Sequence, residues 1–194
     1  MEVHLVMLKG FARAGCSLIV FALVFSCGDV EEIGQVQPEE YAAINKVLKQ
    51  WREGYENEDV ELYMNVYWKD GFLYVSDMGT DDDTTDDVIF DNWDDERESA
   101  IRVFTRFQDI EIELSEPPEI DFLNEENTRA EVNNHYRIQG FVASGESLDG
   151  GFTGWFAEGN NRFIFESRGG VWRIEEWHDE AFSEEEIRLA NNLN

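Results

Sequence analysis

The sequence predicts an α+β fold in which three helices from the N-terminal half pack on one face of a curved antiparallel sheet. Apolar residues recur at helical spacing in three segments between residues 39 and 108. After Asp109 the period changes to two, as Ile110, Ile112 and Leu114 alternate with glutamates. Proline, asparagine and glycine clusters then separate a run of predicted strands.

Each predicted helix has a recognisable start. The first, residues 39–56, follows Pro38, which fits a first helical position. Its apolar face is formed by Ile44, Val47, Leu48, Trp51 and Tyr55. A second, shorter helix opens at Glu58-Asp59. The third spans about residues 93–108, with acidic residues in its first turn, where the helix dipole favours them, and with Ile101, Phe104 and Phe107 facing inward.

The strands follow these helices. The first is predicted at residues 72–75, before a long acidic loop at 76–92. The later ones are predicted at residues 110–114, 120–122, 128–142, 154–167 and 171–178. Arg168-Gly169-Gly170 forms a hairpin turn between the last two. Ser183 and Glu186 form a plausible capping box for a short terminal helix at 183–194.

The N-terminal segment is typical of a secretion signal. A weakly basic stretch precedes an uncharged apolar run at residues 14–26, which is shorter than the roughly 20 residues that a transmembrane helix needs. The run ends in Val24-Phe25-Ser26-Cys27, which resembles the bacterial lipobox, although Phe25 is bulkier than the usual residue there. That resemblance implies cleavage before Cys27 and a diacylglycerol on its thiol, whereas an ordinary signal peptide would leave this cysteine incidental.

The expected organisation follows from this lipobox. Residues 1–26 form the signal peptide, 27–37 the lipidated cysteine and a polar tether, and 38–182 the globular domain. Cys16 lies in the segment to be removed, so the mature chain has a single cysteine and no disulfide. The protein is then expected in a bacterial cell envelope, outside the cytoplasm, attached to the membrane through the lipid alone.

Composition restricts the partners. The chain has 43 acidic against 15 basic residues and a formal charge of −28. Such a surface repels phosphate backbones, so nucleic acid is not an expected partner. No cluster of His and Cys suits zinc, no glycine-rich loop follows a strand, and no cofactor is predicted. Asp81, Asp83 and Asp86 raise a calcium alternative, but the loop lacks EF-hand order and metal is not the expectation.

Two segments are similar to the nuclear transport factor 2-like superfamily, which includes SnoaL-like cyclases and ketosteroid isomerases. The first is EGYENEDVELYMNVYWKDGFLYVSD, which reads as a small acidic turn, a short helix, an Asp and then a strand. The second is FIFESRGGVWRIEEWH, which reads as the closing hairpin. The resemblance covers residues 39–180. It implies a cone of sheet and helices around one apolar pocket, and members of the superfamily bind small molecules, catalyse unrelated reactions or serve as scaffolds.

The resemblance does not extend to the isomerase chemistry. The position of the oxyanion-hole tyrosine falls on Trp51, that of the base on Val75, and that of the second aspartate on Asn161. An alignment shift of two residues would bring Asp77 to the base position. Asn161 retains the capacity to donate a hydrogen bond to an anionic oxygen.

His178 is the sequence's candidate for a pocket base. It shares strand parity with Trp172, Ile174 and Glu176, whereas His135 falls on a charged strand face. Glu176 and His178 are therefore a candidate carboxylate–imidazole pair, either catalytic or a structural pair at the rim of the core. Candidate ligand-binding residues are Trp51, Tyr55, Tyr67, Tyr136, Asn161 and Trp172.

Three functions remain open on the sequence alone. The leading one is binding of a small, mostly apolar molecule in the cone pocket, without assured catalysis. The second is a lyase, cyclase or isomerase that uses the His178–Glu176 pair. The third is a scaffold whose pocket is filled by its own aromatic residues and whose sheet binds a partner or forms a homodimer.

Overall fold

The computed structural model describes residues 38–80 and 84–187. The predicted signal peptide, Cys27 with the whole tether to residue 37, and residues 188–194 of the predicted terminal helix lie outside the described residues. The elements follow in the order α1 (Pro38–Glu56), α2 (Val60–Met64), β1 (Leu73–Ser76), β2 (Val88–Phe90), α3 (Trp93–Arg106), β3 (Gln108–Leu114), β4 (Glu119–Phe122), β5 (Arg129–Phe141), β6 (Gly154–Arg168) and β7 (Val171–Ala181). No helix in these ranges is long and apolar enough to span a membrane.

The seven strands form one open, curved sheet, and the fold class is α+β as predicted. The strand order is β2-β1-β7-β6-β5-β3, and β4 also pairs with β5. The sheet is mixed rather than wholly antiparallel, because β1 runs parallel to β7, with Tyr74 beside Trp177 and Ser76 beside Asp179. Strand β2 was not predicted: it lies within the expected acidic loop and pairs with β1.

The helices are capped as their sequences indicate. The Asp59 side chain accepts a hydrogen bond of 2.9 Å from the amide of Leu62 at the start of α2, and Asn92 accepts one of 2.9 Å from Asp95 at the start of α3. Ser183 and Glu186 exchange the reciprocal bonds of a capping box. Ile101 on α3 is 38% exposed, so the prediction that it faces inward is wrong.

One apolar core lies between the helices and the concave face of the sheet. Helix α1 contributes Ile44, Leu48 and Trp51, as its 3.6-residue period predicts. The sheet contributes inward-facing residues of its three long strands, among them Ala130, Val132, Phe163, Phe165, Trp172, Ile174 and Trp177. The packing of this core is incomplete between the sheet and helices α1 and α3, where a cavity remains.

Candidate functional site

A cavity of about 170 Å³ opens inside the cone, between the sheet and helices α1 and α3. Its aromatic walls are Trp51, Tyr55, Tyr74, Tyr136, Trp155 and Trp177. Its polar groups are Glu96, Ser99, Asn161 and Asp179. Aromatic surface with a few converging polar groups is the usual composition of a small-molecule site.

Glu96 is the first acid of the cavity. It lies in the first turn of α3, yet only 4% of it is exposed, because that turn packs over the aromatic cluster of α1 and α2. The hydroxyl of Tyr63 donates to its carboxylate. Burial raises the pKa of Glu96 to about 7, against the opposing effect of the Tyr63 hydrogen bond. At neutral pH both protonation states are therefore populated.

A chain of buried donors leads to Glu96. The Trp51 indole N–H donates to the Tyr67 hydroxyl at 2.7 Å, and the Tyr67 hydroxyl donates to that of Tyr63 at 2.9 Å. The single hydroxyl proton of Tyr63 is used at Glu96, so Tyr67 must donate to Tyr63 and the indole to Tyr67. Every hydrogen bond of the chain therefore points towards the carboxylate. Burial raises the pKa values of Tyr63 and Tyr67 well above the usual range, which keeps both hydroxyls protonated.

Asp179 is the second acid of the cavity, and it comes from the end of β7. Its Oδ1 accepts from the Tyr136 hydroxyl at 2.7 Å, and its Oδ2 accepts from Ser76 at 3.0 Å and from Tyr74 at 3.3 Å. Burial raises the pKa of Asp179, while these three donors act in the opposite direction. Asp179 thus has three hydroxyl donors, whereas Glu96 has one.

Asn161 joins the polar wall to the core. Its Oδ1 accepts from the Trp177 indole at 2.8 Å, and its Nδ2 donates to Oδ1 of Asn134 at 3.2 Å. Only 1% of Asn161 is exposed. Its amide is therefore already used by the protein, so its N–H groups are less available to a ligand than the sequence alone predicts.

The predicted His178–Glu176 pair forms, but it does not face the cavity. His178 Nε2 lies 3.2 Å from Glu176 Oε2, and Arg129 contacts the same carboxyl group at 2.8 Å. The pairing register shifts between Ile164 and Phe165, so that Ile174 and Glu176 are consecutive partners and Glu175 is a bulge. Beyond this bulge the parity is reversed, and Trp177 and Asp179 take the inward positions.

The other predicted ligand-binding residues divide into two groups. Trp51, Tyr55, Tyr136 and Asn161 line the cavity. Tyr67 is buried behind it as part of the donor chain. Trp172 packs against Phe122 deeper in the core and is not part of the lining.

Glu96, Tyr74 and Asp179 were not identified from the sequence. A signal for Asp179 was nevertheless present, because Ile174 and Trp177 are both large apolar residues and lie three positions apart on one strand. That odd spacing indicates a bulge, and it puts Asp179 in step with Trp177. For Glu96 the sequence offered no comparable signal, since it follows Asp94 and Asp95 in what reads as a solvated first helical turn.

The acidic loop contributes no metal cluster within the ranges that the structure describes. Asp77 is used structurally: its Oδ1 accepts from the amides of Gly79 and Ala181, both at 2.9 Å. Asp86 accepts from the Thr80 hydroxyl at 2.8 Å. Asp81 and Asp83, which the calcium alternative needs, lie outside the described residues.

Solved structures with the same architecture include a nuclear transport factor 2-like superfamily protein from Salmonella enterica serovar Typhimurium. It is 13% identical over 75% of this chain and 93% of its own, with a TM-score of 0.59. The chain therefore has the nuclear transport factor 2-like fold. Neither a protein-family model nor a curated protein matches the sequence.

Two further similar structures are described as a dehydrochlorinase and a dehydratase. One is a type 2 hexachlorocyclohexane dehydrochlorinase, LinA, with 11% identity, a TM-score of 0.55 and coverage of 74% of this chain and 85% of its own. The other, from Novosphingobium aromaticivorans, is provisionally described as a scytalone dehydratase. It has 14% identity, a TM-score of 0.58 and coverage of 75% and 85%. At these identities the likeness concerns the fold alone.

Proposed function

We propose that this domain binds a small, mostly apolar molecule of about one ring in the cone cavity. The observation that supports this most directly is the convergence of two carboxyl groups, Glu96 and Asp179, on a cavity with aromatic walls. Its volume of about 170 Å³ is close to that of an engineered apolar cavity of roughly 150 Å³ that takes up benzene. A polar substituent on the ring would hydrogen bond to Asp179.

The binding proposal is tested with 4-methylphenol, a single ring whose hydroxyl can donate to a carboxylate. Isothermal titration calorimetry on the purified protein would measure its affinity. Ser99→Phe fills the cavity and should abolish binding, whereas Glu98→Phe, the same substitution at the neighbouring exposed position, should leave it intact. Equal affinity in both variants would place the probe elsewhere and reject the cavity as the site.

A second candidate function is acid–base elimination. Asp179, whose three hydroxyl donors favour the ionised form, is the candidate base, and Glu96, with a pKa of about 7, is the candidate acid near neutral pH. Asp179 would take a proton from carbon, and the electron pair of that C–H bond would form a C=C bond as the bond from the adjacent carbon to the leaving hydroxyl oxygen breaks. Protonated Glu96 would give its proton to that oxygen, so that water leaves. The lyase-type descriptions of similar folds are compatible with this assignment. In this proposal Asp179 and Glu96 take the roles that the sequence suggested for His178 and Glu176, because that pair lies away from the cavity.

3-Hydroxycyclohexanone is a suitable probe of elimination, because loss of water gives a conjugated enone that absorbs ultraviolet light. Turnover by the wild type that is lost in both Glu96→Gln and Asp179→Asn would support catalysis. Absence of turnover while 4-methylphenol still binds would argue against this elimination chemistry and leave the binding proposal standing.

We further propose that the protein is held at a bacterial envelope membrane by lipid on Cys27, as the lipobox resemblance implies. Mass spectrometry of the N-terminal peptide from the membrane fraction would detect the diacylglycerol. Cys27→Ala should leave the protein unlipidated. An unmodified Cys27 in membrane-extracted protein would refute the anchor.

A further inference from the structure

A second cavity, of about 310 Å³, lies between α1 and the connection from β3 to β4. None of its lining residues borders the cone cavity. Leu48 and Leu114 supply apolar wall, and Pro117 and Pro118 lie in the connecting segment. Arg52 from α1 and Asn134 from β5 supply the polar part. Its volume reaches the lower end of the range of about 300–1,000 Å³ that is usual for ligand pockets.

The amide of Asn134, a residue that lines this cavity, has a donor without an acceptor in the described part of the chain. The Trp177 indole fixes Oδ1 of Asn161 as the acceptor, so Nδ2 of Asn161 must donate to Oδ1 of Asn134. The Asn134 Oδ1 is therefore an acceptor, and its Nδ2 is a donor. This Nδ2 is buried and has no acceptor among the described residues. Asn134 is only 5% exposed, and an unpaired buried amide N–H is costly.

The side chain lies on the helix-packed face of the sheet. Asn134 has the strand parity of Val132 and Tyr136, which are buried in the core. The β3–β4 connection leaves Asn134 without a ladder partner on that edge, because the registers stop at Leu114 opposite Tyr136 and resume at Glu119 opposite Asn133. The gap in the ladder is the place where the cavity lies.

Arg52 supplies a second unpaired donor. Its Nε is buried without a hydrogen bond in the described part of the chain. Among residues 38–80 and 84–187, its carboxylate neighbours are Glu56 at 3.9 Å from Nε and Glu116 at 3.6 Å from Nη1. An arginine frequently holds a carboxylate through two short parallel bonds, and these two contacts are longer than such bonds.

We infer that this cavity binds a small carboxylic acid with an apolar body. A small rotation of the two side chains would bring these buried nitrogens to the cavity surface, where one carboxylate oxygen would accept from Arg52 Nε and the other from Asn134 Nδ2. The apolar body would lie against Leu48 and Leu114. The chemistry differs from that of the cone cavity, whose two carboxyl groups would repel an anion.

The charges around the cavity allow an anion to enter. Lys49 and Arg52 line it, and the lining acid is Glu116, whose side chain is 73% exposed. The contact of Glu116 with Arg52 is long and solvated, so a ligand displaces it at little cost. Lys49 already lies 3.4 Å from Glu53 on the exposed side of α1. The formal net charge of −28 slows the approach of an anion to the protein. Selectivity for a carboxylate therefore comes from the donors that line the cavity.

Benzoate is the probe for this site, with benzamide as the neutral isostere. Calorimetry on the purified full-length protein should show benzoate binding that weakens at least about tenfold in Arg52→Met, which is 1.4 kcal/mol. Arg52→Lys keeps the charge but removes the forked geometry, and we expect an intermediate loss. Lys46→Met, which removes an exposed cation from another face of the same helix, is the matched control and should bind as the wild type does.

Four results would overturn the inference. Benzoate could fail to bind the wild type, it could bind Arg52→Met and Lys46→Met equally, or benzamide could bind as tightly as benzoate. Weakening by the cavity-filling Ser99→Phe but not by Arg52→Met would put benzoate in the cone and would also reject the second site. Because the two cavities share no residue, failure here leaves the cone proposal untouched.

Discussion

The Tyr136 hydroxyl reaches across an intervening strand to donate to Asp179 at 2.7 Å. Tyr136 lies on β5 and Asp179 on β7, and on the intervening β6 Tyr136 pairs with Gly159, whereas Asp179 pairs with Asn161 two residues further on. A Cβ at Gly159 would approach the Tyr136 ring to 3.0 Å and the Glu180 carbonyl oxygen to 2.4 Å. The missing side chain therefore permits the tyrosine–aspartate contact on which the cavity's second acid depends.

Gly159→Ala should push Tyr136 away from Asp179 and loosen the β6–β7 ladder. We expect a destabilisation of about 1–3 kcal/mol from the forced backbone shift, measured by urea unfolding. Affinity for 4-methylphenol should fall with it. Tyr136→Phe removes the same hydrogen bond without the clash, so it should lower the affinity with less effect on stability. A Gly159→Ala protein as stable as the wild type would contradict the close packing.

Glu96→Gln should stabilise the protein increasingly as pH rises from about 4.5 to about 7, the ordinary and the native pKa of Glu96. A raised native pKa means that the folded state binds this proton more tightly than the unfolded state does. The contribution of Glu96 to the free energy of unfolding is therefore fully present below pH 4.5 and is lost progressively as the pH rises to about 7. Glutamine stays neutral and still accepts from Tyr63. The difference between variant and wild type should grow by on the order of 3 kcal/mol across this window.

Urea unfolding of both proteins at several pH values would measure this difference. Glu98→Gln, at a neighbouring exposed position on the same helix, is the control and should show no comparable trend. A Glu96→Gln effect that is independent of pH would mean that Glu96 is ionised at its ordinary pKa despite its burial.

Asp179 and His178 are adjacent but should behave differently. Asp179→Asn should weaken 4-methylphenol binding about tenfold, because a hydrogen bond to a charged acceptor is roughly twice as strong as one to a neutral acceptor. His178→Ala should change the affinity less than twofold, since His178 faces away from the cavity beyond the Glu175 bulge. If calorimetry shows the opposite order, the parity assignment of β7 is wrong.

Glu158 stabilises the outer face of the sheet. Its side chain is 3% exposed, and its Oε1 lies 3.0 Å from both Arg137 Nε and His135 Nε2. Glu158→Gln removes the charge that both partners approach, and we expect a loss of about 1–3 kcal/mol in the free energy of unfolding. Glu113→Gln, an exposed position, should stay within about 0.5 kcal/mol of the wild type. Equal changes in the free energy of unfolding for Glu158→Gln and Glu113→Gln would show that the contacts of Glu158 with Arg137 and His135 do not stabilise the fold.

Much of the fold follows from local patterns. The helical period of Ile44, Leu48 and Trp51 and the alternation around Ile112 predict elements that the structure confirms within a few residues. The capping box at Ser183 is confirmed as well. The strand β2 was missed because a three-residue edge strand within an acidic segment has neither the length nor the alternation that marks a strand.

The candidate site was predicted only in part, for a physical reason. Trp51, Tyr55 and Tyr136 follow from the apolar faces of their own elements. Asp179 depends on a bulge at Glu175, and a shift of one residue exchanges the two faces of a strand. Glu96 is buried because of how α3 packs on α2, which no local pattern records.

Periodicity and composition are local properties of the chain, so they are sufficient to predict the fold class, the aromatic content of the cone and the acidic surface. They do not reveal which carboxyl groups face the cavity, or that Asn134 and Arg52 have donors without a partner among the described residues. Those features arise from register, crossing of strands and packing of helices, so they depend on residues far apart in the sequence.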